Sequence, residues 1–228
     1  MQSGSPPPPS ESSIIPPPNY VYWGGENLYV NLTSRCSAAC TFCLRPVTWE
    51  VFGYDLRLTA DQEPTARQVI EAAQTELAKR VPREFVFTGL GEPTLRLREM
   101  IAVLEWARIT GLRTRLDTNG HGQLLNPGHS VVEELAVAGL TAVSVSLNAP
   151  DGPTYERLCR PKFPGAFEAV LAFVRDSVRW GLEVTVTAVD VPGIDLVGLM
   201  ALATSLGTAF RVRRLITSPA AVGTPAPQ

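Results

Sequence analysis

The chain has 228 residues, 45% of them hydrophobic, a formal net charge of −2 and four cysteines. That length and apolar share can bury one sizeable core, and no apolar run approaches the roughly 20 residues needed to cross a bilayer. The near-neutral charge lacks the basic footprint of a nucleic-acid binder, and four cysteines with three of them clustered do not make a disulfide framework, so with no charged-then-apolar leader a cytoplasmic, reducing setting is expected.

Residues 1–19, with Pro6-Pro7-Pro8-Pro9 and Pro16-Pro17-Pro18 among serines, hold little to bury and read as a disordered lead. The tail at 218–228 reads the same way, which leaves one domain over 20–217. A strand over 27–32 leads straight into Cys36-Ser37-Ala38-Ala39-Cys40-Thr41-Phe42-Cys43. A cubane of four irons and four sulfides takes four thiolates, so three cysteines this close fill three corners and leave one iron without a protein ligand. Taken alone, the trio also suits a zinc knuckle. A closed zinc site needs a fourth ligand, however, and the remaining candidates, Cys159, His121 and His129, all lie more than 75 positions further on. Residues 44–64, carrying Arg45, Trp49, Phe52 and Tyr54, show no clear period and read as a covering or binding loop.

Beyond this loop the chain alternates. Thr65-Ala66-Arg67-Gln68 is a capping box opening a helix that reaches Arg80, with Val69, Ile70, Ala73 and Leu77 on one face. A strand over 84–88 breaks into Gly89-Leu90-Gly91-Glu92-Pro93, a helix spans about 96–110, and a strand over 112–116 ends in Asp117-Thr118-Asn119-Gly120-His121-Gly122. Ser130-Val131-Val132-Glu133 forms a second capping box for a helix stopped by Gly139, and a strand over 142–147 follows. Cys159 is placed in a loop; then come a helix over 165–180, a strand over 183–189 ending at Asp190, a helix over 195–206 and a strand over 209–216. This alternation predicts an α/β fold, a parallel sheet rolled into a partial (β/α)6 TIM-like barrel with an open side. Ligands in such folds bind at the carboxyl ends of the strands, where the cysteine loop, the Gly-Glu-Pro turn, the Asp117 turn, Ser146 with Asn148, and Asp190 all fall.

Cys36, Cys40 and Cys43 with Phe42 between the last two, followed one strand later by Gly91-Glu92-Pro93, resemble the radical S-adenosylmethionine (SAM) superfamily over roughly residues 22–216. Runs such as Asn31-Leu32-Thr33-Ser34-Arg35-Cys36, Ser146-Leu147-Asn148-Ala149-Pro150 and Leu158-Cys159-Arg160-Pro161-Lys162-Phe163 are similar to the branch of that superfamily associated with TatD hydrolases. The resemblance implies an oxygen-sensitive enzyme in which Cys36, Cys40 and Cys43 hold a 4Fe–4S cluster and SAM chelates the fourth iron. Reductive cleavage of SAM would give a 5'-deoxyadenosyl radical that takes hydrogen from a substrate. The electron would come from an external flavodoxin- or ferredoxin-like donor.

By the same resemblance Glu92 accepts from the SAM ammonium, on a turn shaped by Gly91 and Pro93, and Phe42 places backbone near adenine. Ser146 and Asn148 would hold the ribose, strand-end capping being the other reading. Asp117-Thr118-Asn119-Gly120 is similar to a turn of glycyl-radical activating enzymes whose acidic residue helps bind a cation near the cofactor, a simple Asn-Gly turn being the other reading. Asp190 is retained as a cofactor candidate. Two departures stand out: Leu90 where many relatives have glycine, and a fifth strand without their glycine-isoleucine-glycine pattern. His121 is read as a proton donor or substrate contact, or else a turn histidine bonded to backbone. Cys159 is read as a hydrogen-atom donor or substrate holder, or else a buried thiol. The open side would admit a peptide, a protein loop or a nucleotide as substrate, with the lack of a basic patch speaking against nucleic acid. A glycyl-radical enzyme activase is the alternative within the superfamily, and a non-catalytic iron–sulfur or zinc redox sensor or scaffold the alternative outside it.

Overall fold

The computed structural model describes residues 18–218, so the remainder of the proline-rich lead and of the tail lies outside the described residues. The chain enters through a hairpin, β1 (Val21–Gly24) and β2 (Asn27–Asn31), that turns at Gly25 with φ +60. Six parallel strands follow one another across the sheet: β2, β5 (Phe85–Thr88), β6 (Thr114–Thr118), β7 (Ala142–Ser146), β8 (Glu183–Val189) and β9 (Ala209–Arg213). β1 adds antiparallel to β2 at one edge, and β9 forms the other. This is the expected open-sided, single-domain α/β arrangement, with one antiparallel strand added at its edge.

The helices are α1 (Ala66–Leu77), α2 (Leu97–Ile109), α3 (Gly122–Leu125), α4 (Val131–Ala138), α5 (Gly152–Cys159), α6 (Ala166–Arg179) and α7 (Leu196–Ser205). Strand periodicity explains how the sheet separates its two faces. Phe85, Phe87, Leu116, Val143, Val145, Val184, Val186 and Ala188 join the apolar core with Val103, Leu104, Leu135 and Val170 from the helices. Each such side chain is worth about 1.5–3 kcal/mol when fully buried. The alternate positions, Thr88, Asp117, Ser144, Ser146, Thr187, Arg211 and Arg213, point the other way and border a cavity.

Several expectations are corrected. The Thr65 capping box forms, its hydroxyl accepting from Gln68 N–H at 3.3 Å. At Ser130 the side chain makes no cap; instead Glu134, not Glu133, accepts from Ser130 N–H at 2.9 Å, because the carboxylate one residue later lies closer to the exposed amide. β6 runs to Thr118, so Asp117 is a strand residue rather than part of the turn. Cys159 closes a helix rather than sitting in a loop: Asp151 caps α5 by accepting from Thr154 N–H at 2.8 Å, and Pro153 fits its first turn. Residues 44–64 are ordered, with a small hairpin of β3 (Glu50–Val51) and β4 (Tyr54–Asp55) and a one-turn 3-10 helix over Ala60–Gln62. Leu56 and Leu58 are buried, and Asn31 Nδ2 donates to the Leu56 carbonyl at 3.0 Å, which anchors this part of the segment to β2.

Candidate active site

The cavity has a volume of about 370 Å³ and lies at the carboxyl ends of the strands. Cys36, Cys40 and Cys43 all border it, together with Phe42, Leu44 and Arg45. Main-chain bonds hold the cysteine loop from outside. Ala39 N–H donates to the Cys159 carbonyl at 3.2 Å, Thr41 N–H to the Leu158 carbonyl at 2.9 Å, and Lys162 N–H to the Ser37 carbonyl at 2.9 Å. The segment that ends α5 thus forms a frame for the loop. Arg45 closes its mouth, donating to Cys43 Sγ at 3.4 Å and to the carbonyls of Ser34 and Ala38. Burial, reinforced by the charge of Glu92, pushes the Cys36 thiol up to about 11. Ligation would therefore expel a proton there.

The donor set fits an iron–sulfur cluster. Three thiols share one cavity, and N–H donors reach two of the three sulfurs, Arg45 at Cys43 and Asn119 Nδ2 at Cys36, the latter at 3.7 Å. Among the described residues no three His, Cys, Asp or Glu side chains gather closely enough for a single metal ion.

Gly91 and Glu92 lock the second turn to the loop. Glu92 N–H donates to the Arg35 carbonyl at 2.8 Å, and a Cβ at Gly91 would overlap the Thr33 carbonyl oxygen and lie 2.6 Å from that of Arg35. Glu92 is 1% exposed. Its Oε1 accepts from Thr94 N–H, the Thr94 hydroxyl and the Thr118 hydroxyl at 3.1, 2.7 and 2.8 Å, and its Oε2 from Asn119 N–H at 2.8 Å. Burial raises its pKa against those donors, and no ion-pair partner touches it among the described residues. One acceptor position on Oε2 is left over. Pro93 is buried and starts the 3-10 turn over Pro93–Arg96 that Glu92 caps.

His121 lies away from the cavity lining, fully buried in a chain of bonds. Asn119 Nδ2 donates to Ser37 Oγ at 2.9 Å, Ser37 meets His121 Nδ1 at 2.9 Å, and His121 Nε2 meets the Tyr155 hydroxyl at 2.7 Å. Ser37 Oγ and the Tyr155 hydroxyl can each donate or accept, so either neutral tautomer of the imidazole completes the chain. Burial lowers the His121 pKa to about 4, so the ring is neutral. This is neither a backbone-bonded turn histidine nor a cleft residue; it is a strut that ties the cysteine loop to α5.

Cys159 is 2% exposed and stands behind Cys40 rather than over the open face. Its thiol is pushed up by hydrogen bonding with Cys40 and by burial, while Cys40 is lowered by the same bond. Asn148 is likewise withdrawn. Its backbone has φ 57, its Nδ2 donates to the Ser146 carbonyl at 2.9 Å and its Oδ1 accepts from Val189 N–H at 3.1 Å, which is strand-end capping. Asp190 is exposed and does not border the cavity, because the alternation that turns Thr187 and Val189 inward turns it away. Asp117 borders the cavity and pairs with Arg115 at 2.5 Å, so its charge is already partnered by a guanidinium of the same strand. Burial raises its pKa, with Arg115, Arg213 and Arg211 opposing.

Sequence reading missed Arg211, Arg213 and Arg214, which border the cavity from β9 and beyond. Arg211 donates to Ser144 Oγ at 3.4 Å and Arg213 to Ser146 Oγ at 2.9 Å. The signal was the alternation of Phe210, Arg211, Val212 and Arg213, which in a strand puts both charges on one face.

The family model of the radical SAM superfamily matches residues 30–204. The chain is similar to proteins named GTP 3',8-cyclase, at 31% identity over 160 residues for that of Rhodococcus opacus (69% of this chain, 41% of the relative) and 31% over 186 residues for that of Corynebacterium glutamicum (78% and 45%). It spans less than half the length of these relatives. Among solved structures, Streptococcus suis SuiB bound to S-adenosylmethionine superposes with a TM-score of 0.66 at 16% identity (90% of this chain, 44% of that one). Methylornithine synthase superposes with a TM-score of 0.57 at 15% identity (87% and 55%), so both likenesses speak for the fold.

Proposed function

The chain belongs to the radical SAM superfamily, whose members use a 4Fe–4S cluster and SAM, and on that premise we propose that Cys36, Cys40 and Cys43 are the cluster ligands of this enzyme. When bound, the two cofactors supply a 5'-deoxyadenosyl radical able to take a hydrogen atom from substrate. The chain's own residues orient and shield. Arg45 and Asn119 direct N–H groups at the sulfurs of Cys43 and Cys36, offsetting thiolate charge. Glu92 keeps one acceptor position on Oε2 for the SAM ammonium, and a cation there would compensate its buried carboxylate. Gly91 and Pro93 fix that turn, and Phe42 borders the space expected for adenine.

The observation that carries the reading is a fully buried carboxylate with no ion-pair partner among the described residues, on the same cavity as three clustered thiols. Anaerobic reconstitution with iron and sulfide, reduction with dithionite and assay for 5'-deoxyadenosine tests it. Formation by the native protein, and none by a variant with all three cysteines replaced, is the expected result. A well-loaded cluster that binds no SAM would overturn the enzyme reading in favour of a redox sensor or scaffold.

The finer reading, membership of the TatD-associated branch, rests on the runs around Cys36, Ser146 and Cys159. An external electron donor completes the scheme. For substrate, the relatives named GTP 3',8-cyclase add weight to a nucleotide over a peptide or protein loop. The ion pair of Asp117 with Arg115 takes away the free carboxylate that motivated the activase reading.

A further inference from the structure

The wall of the cavity built by β7, β8 and β9 has an unusual polarity of hydrogen bonding. Ser144 Oγ accepts from two guanidinium groups, Arg115 at 3.3 Å and Arg211 at 3.4 Å, and Ser146 Oγ accepts from Arg213 at 2.9 Å. A hydroxyl has two lone pairs and one hydrogen. Guanidinium donors take both lone pairs of Ser144 Oγ and one of Ser146 Oγ, and neither hydroxyl hydrogen is bonded to an acceptor among the described residues. Arg211 and Arg213 are also donor-only groups, and each makes just one side-chain bond while offering five N–H hydrogens. Neither Arg211 nor Arg213 forms an ion pair among the described residues; Asp117, on the neighbouring β6, is bonded to Arg115, and its charge also bears on Arg211 and Arg213. Arg214 borders the same cavity and adds a further positive charge. The wall is therefore rich in donors and cations and poor in acceptors, the complement of a group with several acceptor oxygens and negative charge.

We propose that Arg211 and Arg213, with the hydroxyls of Ser144 and Ser146, form an oxyanion subsite that holds a carboxylate or phosphate group of the substrate. The proposal rests on the reading of this cavity as the active site and extends it to the class of substrate: an anionic molecule whose charged end is fixed on β9 while its remainder faces the cysteine loop. Asn148 has no part in it, since its amide is spent on the backbone of Ser146 and Val189.

The test uses the anaerobically reconstituted full chain and titrates inorganic triphosphate, succinate and SAM separately by calorimetry at fixed ionic strength. Native protein is expected to bind triphosphate or succinate, which tells phosphate from carboxylate. The Arg211→Ala/Arg213→Ala double variant should lose that affinity at least tenfold while its SAM affinity stays within twofold. Ser144→Ala/Ser146→Ala keeps both charges and should weaken the same probe by a smaller factor, giving a second reading should the arginine variant fail to fold. Failure of native protein to bind either probe, or equal loss in an Arg57→Ala surface control, overturns the subsite. So does a fall in SAM affinity that matches the loss of probe, because the arginines would then serve the carboxylate of SAM. Arginine-dependent probe binding in a cluster-loaded protein that binds no SAM would sink the radical reading and leave the subsite standing. SAM cleavage without probe binding would do the reverse.

Discussion

Replacing Gly91 with alanine adds one methyl group at the tightest backbone crossing of the site. That methyl would overlap the Thr33 carbonyl oxygen and come within 2.6 Å of the Arg35 carbonyl oxygen, both main-chain atoms. Neither can retreat cheaply. Arg35 O accepts from Glu92 N–H at 2.8 Å, Thr33 Oγ1 accepts from Arg35 N–H at 3.0 Å, and Thr33 and Arg35 both bind Glu63, itself paired with Arg96 at 2.8 Å. Overpacking of this kind costs about 1–3 kcal/mol, and loss of the Glu92 bond adds roughly 1 kcal/mol, a total of about 2–4 kcal/mol. In a domain of this size each kcal/mol moves the melting temperature by about 2–4 °C, so a fall of roughly 4–16 °C is expected. The proper control is Gly25→Ala. There φ is +60 and the space is open, so only the left-handed backbone opposes the methyl, at about 1–2 kcal/mol. Thermal unfolding of the cluster-free proteins, followed by iron content after reconstitution, gives both readouts. A Gly91→Ala protein that melts no lower than Gly25→Ala and loads iron normally would refute the crossing as the feature that sets the cysteine loop.

Other consequences follow from the same geometry. His121 titrates at about 4 in the folded chain against an ordinary value near 6.5, so the unfolded chain takes up its proton first. Its contribution is complete above pH 6.5 and falls by roughly 3 kcal/mol as pH drops to 4; urea midpoints across that window should fall more steeply in native protein than in His121→Gln, and parallel curves would count against the strut. Glu92→Gln places an NH2 group against one of four donors and removes the charge, so SAM affinity should drop tenfold or more with cluster content kept, as equilibrium binding would show. Arg45→Met removes the donor to Cys43 and two loop carbonyls, and faster loss of iron under a chelator is expected; an unchanged rate would leave Arg45 without a role in retention. Cys159→Ala should lower stability by about 1 kcal/mol yet keep SAM cleavage, since the thiol does not border the cavity. Loss of product with cleavage intact would restore it as a hydrogen-atom donor.

The alternation of strand and helix was legible because apolar runs such as Phe85-Val86-Phe87 are bounded by glycine and polar turns, and because Thr65 and Gln68 mark a helix start by local chemistry. The cysteine spacing and the Gly-Glu-Pro turn are local too, and they meet on one cavity. What depended on distant contacts was not legible. One partner of His121 is Ser37, 84 positions away, and the guanidinium that Ser146 Oγ accepts from belongs to Arg213, 67 positions on. Asn148 and Ser146 stand two residues apart, as strand neighbours on one face should, but positive φ at Asn148 breaks the alternation, and nothing in Ser-Leu-Asn announces that. α5 was missed although Asp151 and Pro153 are ordinary start signals, because the eight-residue helix is too short for a clear apolar period.

The main-chain frame around the cysteine loop has a consequence for the order of events in synthesis. Cys159 follows Ala39 by 120 positions, and its carbonyl accepts the Ala39 amide hydrogen. At about 5–20 residues per second, the cysteines emerge from the ribosome some 6–24 s before the segment that braces them. A nascent chain halted before residue 158 carries all three thiols without the brace that spaces them. Metal content of such halted chains, set against chains released at residue 165, would date cluster insertion to the moment the loop acquires its frame.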